Sequence, residues 1–153
     1  MKEVIYIGID PGGSGAYGYI SKGDDMVEVA NDFTSIQQAF HDLFQWKNNN
    51  CTIKIAILEK VNAMPNEGVT SSFKFGTNYG MWQGVLTALR IPFKLVHPRT
   101  WQKGLVYKTD GKDSKERSLT VARRLFPDVD LHRKKDHGKA DALLMAYYAR
   151  SLD

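Results

Sequence analysis

The stretch Val4–Gly15, VIYIGIDPGGSG, decides how this chain is read. Its first seven residues are rich in β-branched and aromatic side chains and predict a strand over Val4–Asp10. Two features break the pattern. The strand ends on an acid, Asp10, and glycines follow at once. A carboxylate at the end of a buried strand costs on the order of several kcal/mol unless it is paired or holds a cation. The partner has to come from elsewhere in the chain.

Moving outward, AYGYIS (Ala16–Ser21) reads as the hairpin partner of that strand, and Met26–Phe33 as a third strand. Thr34 or Ser35 caps a helix that carries Ile36, Phe40, Leu43 and Phe44 on one face and stops at Asn48–Asn50. Ile53–Val61, IKIAILEKV, is almost continuously apolar through Leu58, the signature of a central strand covered on both faces. It too ends near an acid, Glu59. A loop with Pro65 and Gly68 leads to a helix over about Ser72–Leu89. In it Gly76, Gly80 and Gly84 recur at i, i+4 and i+8 and form one smooth ridge. Each costs up to ~1 kcal/mol relative to alanine. The ridge therefore implies close packing, against the sheet, a neighbouring helix or a second subunit. A fifth strand is expected over Ile91–Pro98 and a short helix over Arg99–Leu105. A polar loop follows, then a helix capped by Ser114 that runs to about Phe126 and buries Leu119, Ala122 and Leu125. The last helix is expected over about Lys139–Ser151. This order predicts one α/β domain over residues 1–153, a five-stranded mixed sheet with helices on both faces.

The last helix answers Asp10. Asp141 shares a face with Leu144 and Tyr148, at i, i+3 and i+7, so an acid stands inside an apolar stripe. His137 projects the same way one turn earlier. Asp136 reads as the helix N-cap, with a reach toward the same site as the alternative. Asp10, Glu59 and Asp141 thus come from distant points in the chain. If they converge, their repulsion has to be offset, and hard divalent cations with oxygen ligands do so. Two Mg²⁺ ions ~4 Å apart can drive phosphodiester hydrolysis. In that arrangement Asp10 bridges the pair, Glu59 and His137 favour one ion, and Asp141 the other. A histidine ligand tilts the site toward Mn²⁺.

Composition sets limits on the rest. The 153 residues are 42% hydrophobic and 25% charged, enough for a core without disulfide staples. Cys51 is the only cysteine, which excludes a disulfide framework and a cysteine zinc site and points to a reducing compartment. No apolar run approaches the ~20 residues of a membrane helix, and no signal-peptide pattern precedes the first strand. The expected location is the cytoplasm, with no membrane partner. The net charge is +4, and twelve of the lysines and arginines fall between Arg99 and Lys139, which fits a phosphate-rich partner and a merely solvated basic face equally.

Four segments, YIGIDPGGSGAYGYI, AILEKVNAMPNEGVTSSFKFGTNYG, LVHPRTWQK and KKDHGKADALLMA, resemble the RuvC-like Holliday junction resolvases, most closely their phage-type members. The match runs in order over nearly the whole chain. ILEKV followed by ADALL is its most specific part, since IDPG turns also occur in actin-like ATPases. The resemblance implies a ribonuclease H-like fold, a homodimer, and Mg²⁺- or Mn²⁺-dependent paired nicking of four-way DNA junctions, in a bacterial host cell if the chain is phage-encoded. It assigns Asp10, Glu59 and Asp141 to three of the family's acids. At the fourth position this chain reads Asp136-His137, where phage-type relatives commonly carry two acids. Lys115 resembles a lysine near the scissile phosphate, Lys103 matches another more loosely, and Lys112 belongs to the same basic stretch. In the family an aromatic after the fourth strand can wedge into the junction, which nominates Phe73 and Phe75, although plain core packing is the leading expectation for both, with Met64 as an exposed substitute. Trp82 and Trp101 read as core or interface residues. A structured-RNA nuclease of the same fold and a non-catalytic branched-DNA binding module stay open as alternatives.

Overall fold

A computed structural model describes residues 2–23, 27–62 and 64–153. The apolar run quoted above forms β1 (Glu3–Asp10) and turns back as β2 (Ala16–Ser21), which pairs antiparallel with β3 (Glu28–Asp32). Met26, the expected start of that third strand, lies outside the described residues. Ser35 caps α1 (Ile36–Asn48) by accepting from the Gln38 amide. Asn50 then takes a left-handed φ of 55° and releases the chain into β4 (Cys51–Glu59). β4 pairs parallel with β1 and with β5 (Phe93–Val96), so the sheet order is β3-β2-β1-β4-β5. The remaining helices are α2 (Val69–Ala88), α3 (Pro98–Gln102), α4 (Ser114–Leu125) and α5 (His137–Ser151).

Several boundaries differ from the sequence expectation. β5 is shorter at both ends, because Pro92 has no amide to give the ladder and Pro98 opens α3. α2 starts three residues early, behind Gly68, with no side-chain cap. The cap of α4 is Asp113, whose carboxylate accepts from the Glu116 amide; Ser114 is already helical. α5 begins at His137 rather than Lys139.

Strand parity sends alternate residues to two cores. Ile7, Ile9, Ala56 and Leu58 pack with Ala39, Leu43, Trp82 and Leu86 of α1 and α2. Tyr6 and Ile57 pack on the other face with Trp101, Leu119 and the apolar side of α5. Helices do cover both faces. The ladder between β1 and β4 holds one irregularity. Ile5 faces Ile53 but Tyr6 faces Ile55, so Lys54 is skipped. The slip brings Ile9 beside Leu58, leaving Asp10 and Glu59 as the next residues at one end and on one face.

α5 lies directly on β1. A Cβ placed on Gly8 would stand 1.9 Å from the Ala142 carbonyl oxygen, and one on Gly138 would stand 2.5 Å from the Ser14 carbonyl oxygen. Both helix and strand backbones need these positions bare. Gly8→Ala should therefore lower stability by ~1–3 kcal/mol or more, a drop of up to about 10 °C in the thermal midpoint for a chain of this size. Gly13→Ala, where an added Cβ meets nothing within 4 Å, should leave the midpoint nearly unchanged. Thermal melts followed by circular dichroism compare the two.

Candidate active site

Three carboxylates come near one another where β1, β4 and α5 converge, close enough to influence one another's charge but without all their ligand oxygens within 4.8 Å. Asp10 ends β1, and its Oδ1 accepts from the Gly12 amide at 3.0 Å, so the glycine turn holds the acid in place. Glu59 ends β4 on the same side of the sheet, and its Oε2 accepts from the Trp101 indole Nε1 at 2.9 Å. Asp141 precedes Ala142, the residue that rests on Gly8, so the helix contact carries it to the strand ends. The Ser118 hydroxyl hydrogen-bonds Asp141, yet Asp141 Oδ1 is fully buried with no hydrogen-bond partner.

The electrostatics record this proximity. Burial raises the pKa of Asp10, with the Gly12 amide and the nearby His137 opposing. Burial and then the charge of Asp10 push Glu59 up to about 7, against the Trp101 hydrogen bond. Asp141 rises well above the usual carboxylate range through burial, then through Asp10 and Glu59. Glu59 feels the charge of Asp10, and Asp141 feels both Asp10 and Glu59; no arginine or lysine offsets the rise of any of the three. A hard divalent cation suits this arrangement. It would offset the repulsion, and the unpartnered Asp141 Oδ1 is an oxygen that lacks a donor.

The other nominated residues divide. His137 stands at the first position of α5, close enough to lower the Asp10 pKa. Asp136 does occupy the N-cap position of α5, but its side chain makes no capping bond and does not join the three acids. Its fully buried carboxylate is gripped by Arg133, from Nη2 at 2.5 Å, from Nε at 3.0 Å and from the backbone amide at 2.9 Å. Arg133 also reaches Asp32 of β3 at 3.2 Å. Among the described residues, the trio whose ligand atoms all lie within 4.8 Å of one another is Asp130, His132 and Asp136. That cluster already has its countercharge in Arg133, which helps to lower the Asp136 pKa. The reach of Asp136 into the acidic centre gives way to this ion pair.

Lys112 and Lys115 are exposed and line a cavity of about 460 Å³ with Arg123 and Lys134, where four basic side chains outnumber the two acids Asp113 and Glu116. Lys103 is exposed at the end of α3, outside that lining. Phe73 is 75% exposed, which overturns core packing for it. Phe75 is half-buried and lines a cavity of about 370 Å³ against Pro11, Gly12 and Gly13, beside Asp10. Met64 is 68% exposed on the rim of a further cavity shared with Lys60 and His97. The glycine ridge of α2 is also exposed, and a Cβ at Gly76, Gly80 or Gly84 would meet nothing within 4 Å. It does not pack on the sheet. Sequence reading missed three residues here: Trp101, Ser118 and Arg133. Ser118 carried a signal, a polar residue on the buried stripe of α4 beside Leu119 and Ala122.

No family model matches the chain. It is 37% identical over 89 residues to the chloroplastic Holliday junction resolvase MOC1 of Chlamydomonas reinhardtii. That match covers 56% of this chain and 10% of the relative, so the chain spans about a tenth of the length of the curated protein it resembles. Among solved structures, Thermus thermophilus RuvC in complex with Holliday junction substrate superposes with a TM-score of 0.56 at 13% identity, over 99% of this chain and 96% of that one. A second Thermus thermophilus RuvC structure gives 0.52 at 16% identity, over 97% and 96%. The fold is that of RuvC, ribonuclease H-like. Among the described residues no helix is long and apolar enough to cross a membrane.

The raised carboxylates fix a pH dependence. An acid whose folded pKa lies above its unfolded one contributes fully to stability while it is protonated and loses that contribution as pH rises through the folded value. For Glu59 the window runs from its ordinary 4.5 to about 7 and corresponds to at most about 3 kcal/mol. In EDTA the thermal midpoint should fall across that window. Adding Mg²⁺ should recover part of the loss at pH 8 and little at pH 5, and Glu59→Gln should flatten the slope.

Proposed function

We propose that the chain is a divalent-metal-dependent nuclease that cuts branched DNA, four-way junctions above all, by paired nicks in opposite strands. The observation that carries this reading is the convergence of Asp10, Glu59 and Asp141 at one end of a RuvC fold, with Asp141 Oδ1 buried and unpartnered. The junction-resolving relative and the basic cavity beside α4 support DNA as the substrate.

Asp10, Glu59 and Asp141 would hold one or two Mg²⁺ or Mn²⁺ ions, with His137 near enough to Asp10 to contribute. Bound divalent cations supply Lewis-acid stabilisation of a phosphate and lower the pKa of water to a useful range. The protein's own groups do the remainder. The Gly12 amide holds the Asp10 carboxylate in fixed orientation, so little reorganisation accompanies the reaction. Lys112 and Lys115 attract the DNA backbone and balance charge on phosphate oxygens. Phe73, exposed at the start of α2, offers a face on which an unpaired base can stack for ~1–3 kcal/mol.

A second copy of the chain completes the picture. At ~100° per residue, Val69, Phe73, Gly76 and Gly80 fall on one stripe of α2, about 130° from the side that buries Trp82 and Leu86. Val69 is 88% exposed. A helix that leaves apolar residues and bare glycines outward is built for close approach by another helix. A two-fold dimer would present two acidic centres to the two-fold symmetric junction.

Synthetic four-way junctions, flaps, linear duplexes and RNA hairpins, each with and without Mg²⁺ or Mn²⁺, test the activity. Expected are symmetric cuts in the junction only with metal, reduced at least ~100-fold in Asp10→Asn or Asp141→Asn, with junction binding within a few-fold of wild type. Equal cutting of linear duplex, or binding lost in step with cleavage in a folded variant, would overturn the reading. For the dimer, sedimentation should give twice the 17.3 kDa chain mass. Gly80→Leu, which improves helix propensity, should reduce it to one chain while the protein stays folded. A dimer that survives that substitution places the seam elsewhere.

A further inference from the structure

Trp101 stands in an unusual position for a core residue. It is fully buried, and its indole N–H donates to Glu59 Oε2 at 2.9 Å. The segment His97–Trp101 is built to deliver it there. His97 ends the strand side and caps α3, its Nδ1 accepting from the Arg99 amide at 3.2 Å. Pro98 supplies a fixed first helical turn, and the Thr100 amide bonds back to the His97 carbonyl at 2.9 Å. An indole N–H is a donor only, so the bond has one polarity and cannot reverse as a hydroxyl could.

A buried tryptophan does not by itself require this bond. Trp82, equally buried in the opposite core, keeps its Nε1 without any partner. The fold thus accepts an unpaired indole where no acid is at hand. At Trp101 the indole is matched to one of the three convergent carboxylates. The same treatment recurs at the other two, since Asp10 Oδ1 takes the Gly12 amide and Asp141 takes Ser118 while its Oδ1 stays free. Each acid is held through one donor.

We propose that Trp101 is a positioning residue of the acidic centre: its indole N–H ties down one oxygen of Glu59 and leaves the other to meet a cation. The proposal rests on the reading that the three acids hold a divalent cation. Losing the partner that orients a ligating group typically costs 10–100-fold in metal affinity.

The test uses Mn²⁺ binding to the full chain, measured by calorimetry after EDTA treatment. Trp101→Phe keeps most of the ring and removes the N–H, and Trp82→Phe serves as the control. Expected is Mn²⁺ binding about 10-fold weaker or more in Trp101→Phe, with its EDTA melting midpoint within a few degrees of wild type, and no change in Trp82→Phe. Unchanged affinity in a folded Trp101→Phe overturns the proposal and leaves the cation reading standing. Wild-type protein that binds no Mn²⁺ overturns both. If Trp101→Phe does not fold, the indole N–H resonance of Trp101 in the wild type decides, assigned by elimination with Trp46→Phe and Trp82→Phe. It should shift on Mg²⁺ addition, and a resonance unmoved at saturating Mg²⁺ sinks the idea.

Discussion

Everything about the acidic centre follows from how close α5 comes to β1. The two backbones touch at Gly8 and Ala142, where a single methyl group would already overlap the helix carbonyl. Asp141 is the residue before that contact, and Asp10 lies two residues further along the strand, on the same face by strand parity. The meeting of these side chains is thus a by-product of backbone packing rather than of their own attraction, which is repulsive. β4 enters through its parallel ladder with β1, and the skipped Lys54 sets Glu59 level with Asp10.

The fold holds these charges against their preference. Burial raises all three acids, the neighbouring carboxylates raise Glu59 and Asp141 further, and among the described residues only His137 opposes this with a basic side chain, at Asp10. Elsewhere in the same molecule the opposite solution is used. Asp136 has Arg133, and Asp153 accepts from Tyr6 and Lys22, with Lys54 3.3 Å away. The contrast separates acids that serve the architecture from acids kept available. A site of this second kind is destabilising in the absence of its ligand, a common cost of function in a marginally stable protein.

The sequence already carried the main argument. Two apolar strands ending on acids and one acid in an apolar helix stripe were visible as violations of pattern, and violations concentrate where chemistry is done. The hairpin, the central strand, the glycine ridge and the order of elements were legible for the same reason, since period and turn residues encode them. What was hidden depended on tertiary detail. A one-residue bulge has no signature in IKIAILEKV, yet it sets which face Glu59 occupies. Asp136 looked like a cap because caps are usually short polar residues before a helix, but Arg133, three residues earlier, claimed its carboxylate. Trp101 looked like core, and it is; that its N–H meets Glu59 depends on the turn made by His97 and Pro98. The direction of the glycine ridge could not be read from spacing, which fixes a stripe but not what it faces.

α2 and α5 are the two longest helices and are anchored very differently. Eight residues of α5 are buried, against two of α2, which also carries three glycines in its outer half. Amide protons on the outer stripe of α2 should therefore trade with solvent long before those of α5 and β1. The molecule couples a stiff chemical end to a yielding arm. Under the proposed activity, such an arm would adjust to the varied angles of a crossing of four strands without disturbing the three acids.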